Sequence, residues 1–152
     1  MKDDKYHNLS IIIHRSSKNY TENEWEIPKG RRSGHENNKD CAIREFNEET
    51  NIHPQQYKMI TNMIPLIEEY RGINNVRYKH IYYVGTMEKR IELNIDHENK
   101  EQYTEIKNIS WLTERECYEK IRDYDEHKRK VVHSFFELYN NIYEKKKIHL
   151  KN

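Results

Sequence analysis

Along this chain the apolar positions change period several times, and each change marks an element. Leu9–Arg15 carries Ile11, Ile12 and Ile13 in succession, the short apolar run of a buried strand. Ser16–Glu24 reads as a polar loop, and Trp25–Ile27 as a brief strand ended by Pro28. Lys39–Thr50 contains no Pro or Gly, and Ala42, Ile43, Phe46 and Thr50 share one side at helical spacing. Asn51 tolerates the left-handed backbone that stops a helix. Tyr57–Tyr70 and Val76–Met87 read as two strands around a hairpin turn at residues 71–75. Glu88–Gln102 reads as loop, and Ile106–Leu112 as a strand holding Trp111. Thr113–Arg122 opens as a helix, with Thr113 and Glu116 in capping-box spacing. Asp125–Lys146 sets Val131, Val132, Phe135, Leu138, Tyr139 and Ile142 on one side of a long helix. No repeat or linker divides the chain, so one domain is expected over residues 1–147, with 148–152 a basic tail.

Composition narrows the class. At 152 residues the chain is long enough to bury a core, yet 34% of it is hydrophobic and 35% charged. Twelve Tyr supplement a modest aliphatic core. Lys+Arg 27 against Asp+Glu 26 gives a net charge of +1, so global charge does not announce a nucleic-acid binder. No apolar run approaches a membrane span, and no signal peptide is recognisable; the chain reads as soluble and intracellular. Cys41 and Cys117 form no CxxC, and none of the nine His shows zinc spacing with them.

The helix at Lys39–Thr50 carries an apparent electrostatic error. Glu45, Glu48 and Glu49 crowd one side, where like charges cost a few tenths of a kcal/mol per pair. They also lie in the last turns, where the helix dipole disfavours negative charge. Arg44 precedes Glu48 by four residues and can brace it, and a bound cation would offset the rest. A solvated acidic helix end is the plain alternative for three glutamates taken alone.

The surrounding positions bring in a resemblance. Gly30, Glu36, Arg44, Glu45, Phe46, Glu48, Glu49 and Ile52 fall in register with the box of the Nudix family, with Asn51 where that family usually has Gly. The resemblance implies an α/β (α+β) fold: a Nudix α/β/α sandwich with a mixed sheet. The family normally has another strand ahead of Ile11–Arg15, and only about ten residues are available for it here, so the sheet is expected to be trimmed or its first strand to come from elsewhere. It implies Mg2+ or Mn2+ held by Glu45, Glu48, Glu49 and the Lys29 backbone carbonyl, with Glu36 supporting the metal's water network and Arg44 orienting a glutamate. A later acid would be the general base: Glu105, with Glu101 as its competitor.

Trp25-Glu26-Ile27-Pro28-Lys29-Gly30 and Cys41-Ala42-Ile43-Arg44-Glu45-Phe46 look like the mRNA-decapping members of large DNA viruses. That likeness implies capped RNA as substrate and the host cytoplasm as location. Lys29, Arg31 and Arg32 would grip phosphates, and Arg77 and Lys79 would assist. The cluster His127-Lys128-Arg129-Lys130 could track an RNA backbone, against a solvated helix face. Two alternatives stay open. One is hydrolysis of diadenosine polyphosphates, nucleoside triphosphates or diphosphoinositol polyphosphates. The other is a catalytically inactive Nudix-fold binding module.

Overall fold

The acidic helix forms where its sequence places it. The computed structural model describes residues 22–149, with side chains through residue 142. Helix α1 runs Asn38–Thr50. The Asn37 side chain caps it, accepting from the Lys39 and Asp40 amides at 2.9 and 3.0 Å. Asn51 ends it in the left-handed conformation (φ 58°, ψ 24°), returning its N–H to the Asn47 carbonyl at 2.8 Å. Asn thus does the work that the family gives to Gly.

The two long strands break into short ones. β1 (Lys58–Met59) pairs antiparallel with β4 (Gly85–Thr86), and β2 (Leu66–Arg71) with β3 (Arg77–Tyr82). The turn between β2 and β3 closes through Asn75, whose φ is 63°. Register explains the interruption. Met59 faces Gly85 and Leu66 faces Tyr82, so residues 60–65 stand opposite residues 83–84 alone. The surplus holds Asn62 and Pro65, residues poorly suited to a ladder. Among the described residues both ladders are antiparallel. The expected strand at Leu9–Arg15 and most of the loop at Ser16–Glu24 lie outside the described residues.

Three further expectations need correction. Trp25–Ile27 and Ile106–Leu112 are irregular, each without a ladder partner among the described residues. Trp111 instead anchors by donating its Nε1–H to the Ile91 carbonyl at 2.8 Å. The polar stretch read as loop to Gln102 ends in a helix, α2 (Lys100–Glu105), capped by Asn99. α3 (Glu114–Lys120) has the reciprocal capping box, with Thr113 N–H donating to Glu116 at 2.7 Å.

The last helix, α4 (Glu126–His149), continues past the expected end at Lys146. It carries no Gly or Pro to stop it, and lysines suit a helix C-terminus. It packs on β2 and α3, burying Val131 and Val132, whereas Tyr139 and Ile142 stay 52% and 40% exposed. The hairpin face toward it is polar and aromatic. Glu68, 3% exposed, accepts from the Tyr82 hydroxyl at 2.7 Å and contacts His80 Nδ1 at 2.7 Å. Tyr70 and Tyr78 stack beside them at 5.2 Å.

Within the basic cluster on α4, Lys128 and Arg129 are engaged inside the fold. Lys128 is 3% exposed, and its Nζ lies 2.8 Å from Glu26 and 2.6 Å from Asp125. Burial pushes the Lys128 pKa down, but hydrogen bonds to the two carboxylates outweigh it and the net shift is upward. Arg129 donates to the Tyr118 and Ile121 carbonyls at the end of α3, at 3.0 and 3.1 Å. Both cations serve the fold, because periodicity alone did not reveal the acids facing them. Glu24, Glu26 and Asp125 form a compact acidic group, but Lys128 already neutralises much of it. Lys128→Ala should therefore cost about 2 kcal/mol, since it leaves the largely buried Asp125 carboxylate without its lysine. Lys130→Ala, at an exposed position, should stay within about 0.5 kcal/mol. Urea unfolding of the two variants measures both.

Candidate active site

The site is built where the loop 28–37 folds against α1. Arg44 is its hub. Its Nε and Nη2 donate to the two oxygens of Glu36 at 2.9 and 3.0 Å, a bidentate pair. Nη1 lies 2.8 Å from both Glu48 and Glu45, and Nη2 also donates to the Arg31 carbonyl at 3.0 Å. Glu36 additionally accepts from the Ser33 amide at 3.1 Å. Hydrogen bonds from Arg44, then from Ser33, hold the Glu36 carboxyl down to about 2. Arg44 is shifted further up by Glu36 first, against the opposing effect of burial.

Gly30 is needed for close approach. A Cβ there would collide with the Glu45 carboxylate, so any larger residue would displace that side chain. Beside it, Cys41 is 6% exposed, and burial raises its thiol pKa. It is a packed thiol under the loop, 3.7 Å from Arg44 Nη2.

Glu49 faces the other way. It accepts from the Lys29 amide at 3.1 Å. Burial raises its pKa to about 7, against the Lys29 amide; the charges of Glu45 and Glu105 add to the rise. A pocket of about 320 Å3 opens here, lined by Arg44, Glu45, Glu48, Glu49, Glu101, Gln102, Glu105 and Ile106. Five carboxylates thus meet one guanidinium. This donor set fits a hard divalent cation that takes oxygen ligands.

Both acids considered as base, Glu105 and Glu101, line this pocket from α2. Lys29 and Glu105 also line a neighbouring cavity of about 920 Å3, walled by Trp25, Phe46, Ile106 and Trp111 among others. Other expected positions stand apart from the acidic pocket. Glu36 is engaged with Arg44 and Ser33. Arg31 and Arg32 are exposed on the loop. Lys79 pairs with Glu69 at 2.8 Å, and Arg77 lies 3.9 Å from the same carboxylate. Their face of the hairpin is opposite the one that packs on α4.

Residues 2–135 match the family model described as a NUDIX domain. The chain belongs to the Nudix family. Its mixed α/β architecture agrees. Among similar proteins, one from Acanthamoeba polyphaga mimivirus, provisionally named for mRNA decapping, is 38% identical over 110 residues. That match covers 72% of this chain and 30% of that protein. The mRNA-decapping protein g5R of African swine fever virus is 36% identical over 90 residues, covering 57% of this chain and 36% of that protein. The chain therefore matches about a third of the length of these curated relatives.

Sequence reasoning missed Gln102, Glu68 and the Glu26–Lys128 pair. Each is a polar residue whose partner lies far along the chain, so local pattern carried no signal. One consequence of the buried Glu49 is testable. Its folded pKa of about 7 exceeds the ordinary 4.5, so the native state binds more protons between those values. In chelator, this contribution to stability is lost as pH rises through about 7. Glu49→Gln should remove that slope and be the more stable protein at about pH 8. Thermal melts of both proteins in EDTA across this range decide it; parallel curves would sink the assignment.

Proposed function

We propose that this chain is a divalent-metal-dependent hydrolase acting on the triphosphate bridge of capped RNA. The products would be methylguanosine diphosphate and RNA bearing a 5′ monophosphate, and the setting the host cytoplasm. The observation that carries the chemistry is the 320 Å3 pocket in which the α1 glutamates face the α2 acids. The substrate is supported by the relatives named for mRNA decapping. Among the described residues no helix is long and apolar enough to cross a membrane.

In this reading Glu45, Glu48, Glu49 and the Lys29 carbonyl hold Mg2+ or Mn2+. The ion supplies charge neutralisation at the phosphates and a more acidic bound water. The protein's groups do the rest. Arg44 holds Glu45 and Glu48 in place, and Glu36 holds Arg44. Lys29, Arg31 and Arg32 bind the phosphate oxygens. Glu105, or Glu101 beside it, accepts the proton of the attacking water. The water oxygen bonds to one phosphorus, and the bridging oxygen leaves with the neighbouring phosphate.

Phosphates beyond the bridge would be met by exposed cations such as Arg71, Arg77, Lys79 and Lys130, with Lys128 removed from that role by its burial. A second reading is favoured by the same pocket: free dinucleoside polyphosphates, nucleoside triphosphates or diphosphoinositol polyphosphates need only the site and the basic loop. The inactive-module reading gains nothing from five pocket carboxylates held in order.

The deciding assay offers capped RNA, free cap analogue, diadenosine tetraphosphate and an inositol pyrophosphate side by side. Capped RNA should be preferred, and the preference should shrink as salt rises, because phosphate contacts release counterions. Glu48→Gln should abolish turnover of every substrate with the fold intact. Better hydrolysis of diadenosine tetraphosphate, indifferent to RNA length, selects the second reading. Turnover by Glu48→Gln near the wild-type rate would refute the metal site.

A further inference from the structure

Gln102 is the buried side chain of α2, at 1% exposure. Both ends of its amide are used. Nε2 donates to the Glu49 carbonyl at 3.1 Å, and Oε1 accepts from the Asp96 amide at 2.7 Å. The Glu49 carbonyl belongs to the last turn of α1, where helix carbonyls lack intrahelical partners. A buried amide is tolerable only when such bonds are made. A second tie joins the same segments: Asn51 Nδ2 donates to Asp96 Oδ2 at 3.3 Å.

The helix that Gln102 holds is short. α2 has six residues, far below the length at which a helix persists by itself. Its pose must come from its contacts, and α1 is the element it packs on. Glu101 and Glu105 are four apart and share a side of α2, with Gln102 about 100° round from Glu101. Fixing Gln102 therefore fixes the rotation of α2 and its height along α1. Those two quantities decide whether its acids face Glu45, Glu48 and Glu49 across the pocket.

We propose that Gln102 is a positioning residue. Its amide clamps α2 to the end of α1, and so sets the pocket acids of α2 at reacting distance from the box glutamates. The clamp needs a donor and an acceptor on one side chain of this length. Leu and Met supply neither. Glu could still accept from Asp96, but would aim negative charge at the Glu49 carbonyl. Lys could donate and could not accept. This proposal rests on the hydrolase reading above, and its test separates the two.

The experiment is a double-mutant cycle on the full chain with capped RNA: Gln102→Leu, Glu105→Gln and the pair, with kcat and KM for each. Gln102→Leu should lower kcat on the order of 100-fold and leave KM nearly unchanged. The double variant should be no slower than Glu105→Gln alone, since both changes remove one group's action. Hydrogen exchange at the Asp96 amide should accelerate in Gln102→Leu, with Gln102→Met as the second variant should Leu not fold. Additive losses, or a raised KM with unchanged kcat, overturn the proposal. If Glu105→Gln loses nothing, the cycle is repeated with Glu101→Gln, and additivity there overturns it as well. A wild-type chain that hydrolyses no substrate refutes the hydrolase reading instead. An Asp96 amide equally protected in the variant refutes the clamp by itself.

Discussion

One guanidinium makes the rest of the site possible. Arg44 touches Glu36, Glu45, Glu48 and the Arg31 carbonyl, each within 3.0 Å. Without it, the glutamates of α1 would repel one another at the wrong end of a helix dipole. Glu36, held at about 2 by its hydrogen bonds from Arg44 and Ser33, stays ionised throughout the physiological range. The same side chain therefore orders a loop, braces two carboxylates and leaves Glu49 apart. That division matters. Glu49 is bound by a single loop amide and sits in a medium that resists its charge, so it is the carboxylate with most to gain from a cation.

The opposite wall is assembled differently. α1 is about twice as long as α2 and capped at both ends. α2 is a single short turn-and-a-half of helix whose orientation is borrowed. On the proposed hydrolase reading, the contrast suits a site that holds charge on one side and a proton acceptor on the other. It also locates the energetic weak point of the pocket: the loop-borne helix, where few buried apolar groups resist local opening.

Legibility in the sequence followed the range of the interactions. The stop at Asn51, the Arg44–Glu48 brace and the Thr113–Glu116 box each join residues a few positions apart, and each was readable. So was the side of α1 that carries the three glutamates. The cap at Asn37, equally local, was not read. The other failures join distant residues. Lys128 looked like one cation in a surface cluster because Glu26, its partner, lies at the far end of the described chain. The hairpin was foreseen but its break was not, since register is set by pairing across strands and not by either strand alone. Ile106–Leu112 has a strand's composition and no strand's partner among the described residues. The pocket acids Glu101 and Glu105 were found only through family likeness; nothing local distinguishes them from the other carboxylates of that stretch.

The tie between Glu26 and Lys128 bears on time as well as geometry. Glu26 stands three residues before Lys29, whose amide holds Glu49. Neighbouring ties span the same interval: Tyr124 donates to Glu24 across 100 residues, and Arg122 to the Glu22 carbonyl across 100. Contacts so far apart in sequence form late, after loop-closure entropy has been overcome. During synthesis, α1 and its arginine can organise while the chain is still emerging. The segment at 22–26, just before Lys29, makes its long-range ties only after residues 122–128 have been made and docked. The loop at 28–37 and α1 are tied to each other over at most twenty residues, whereas the segment at 22–26 completes its contacts only once α4 is present.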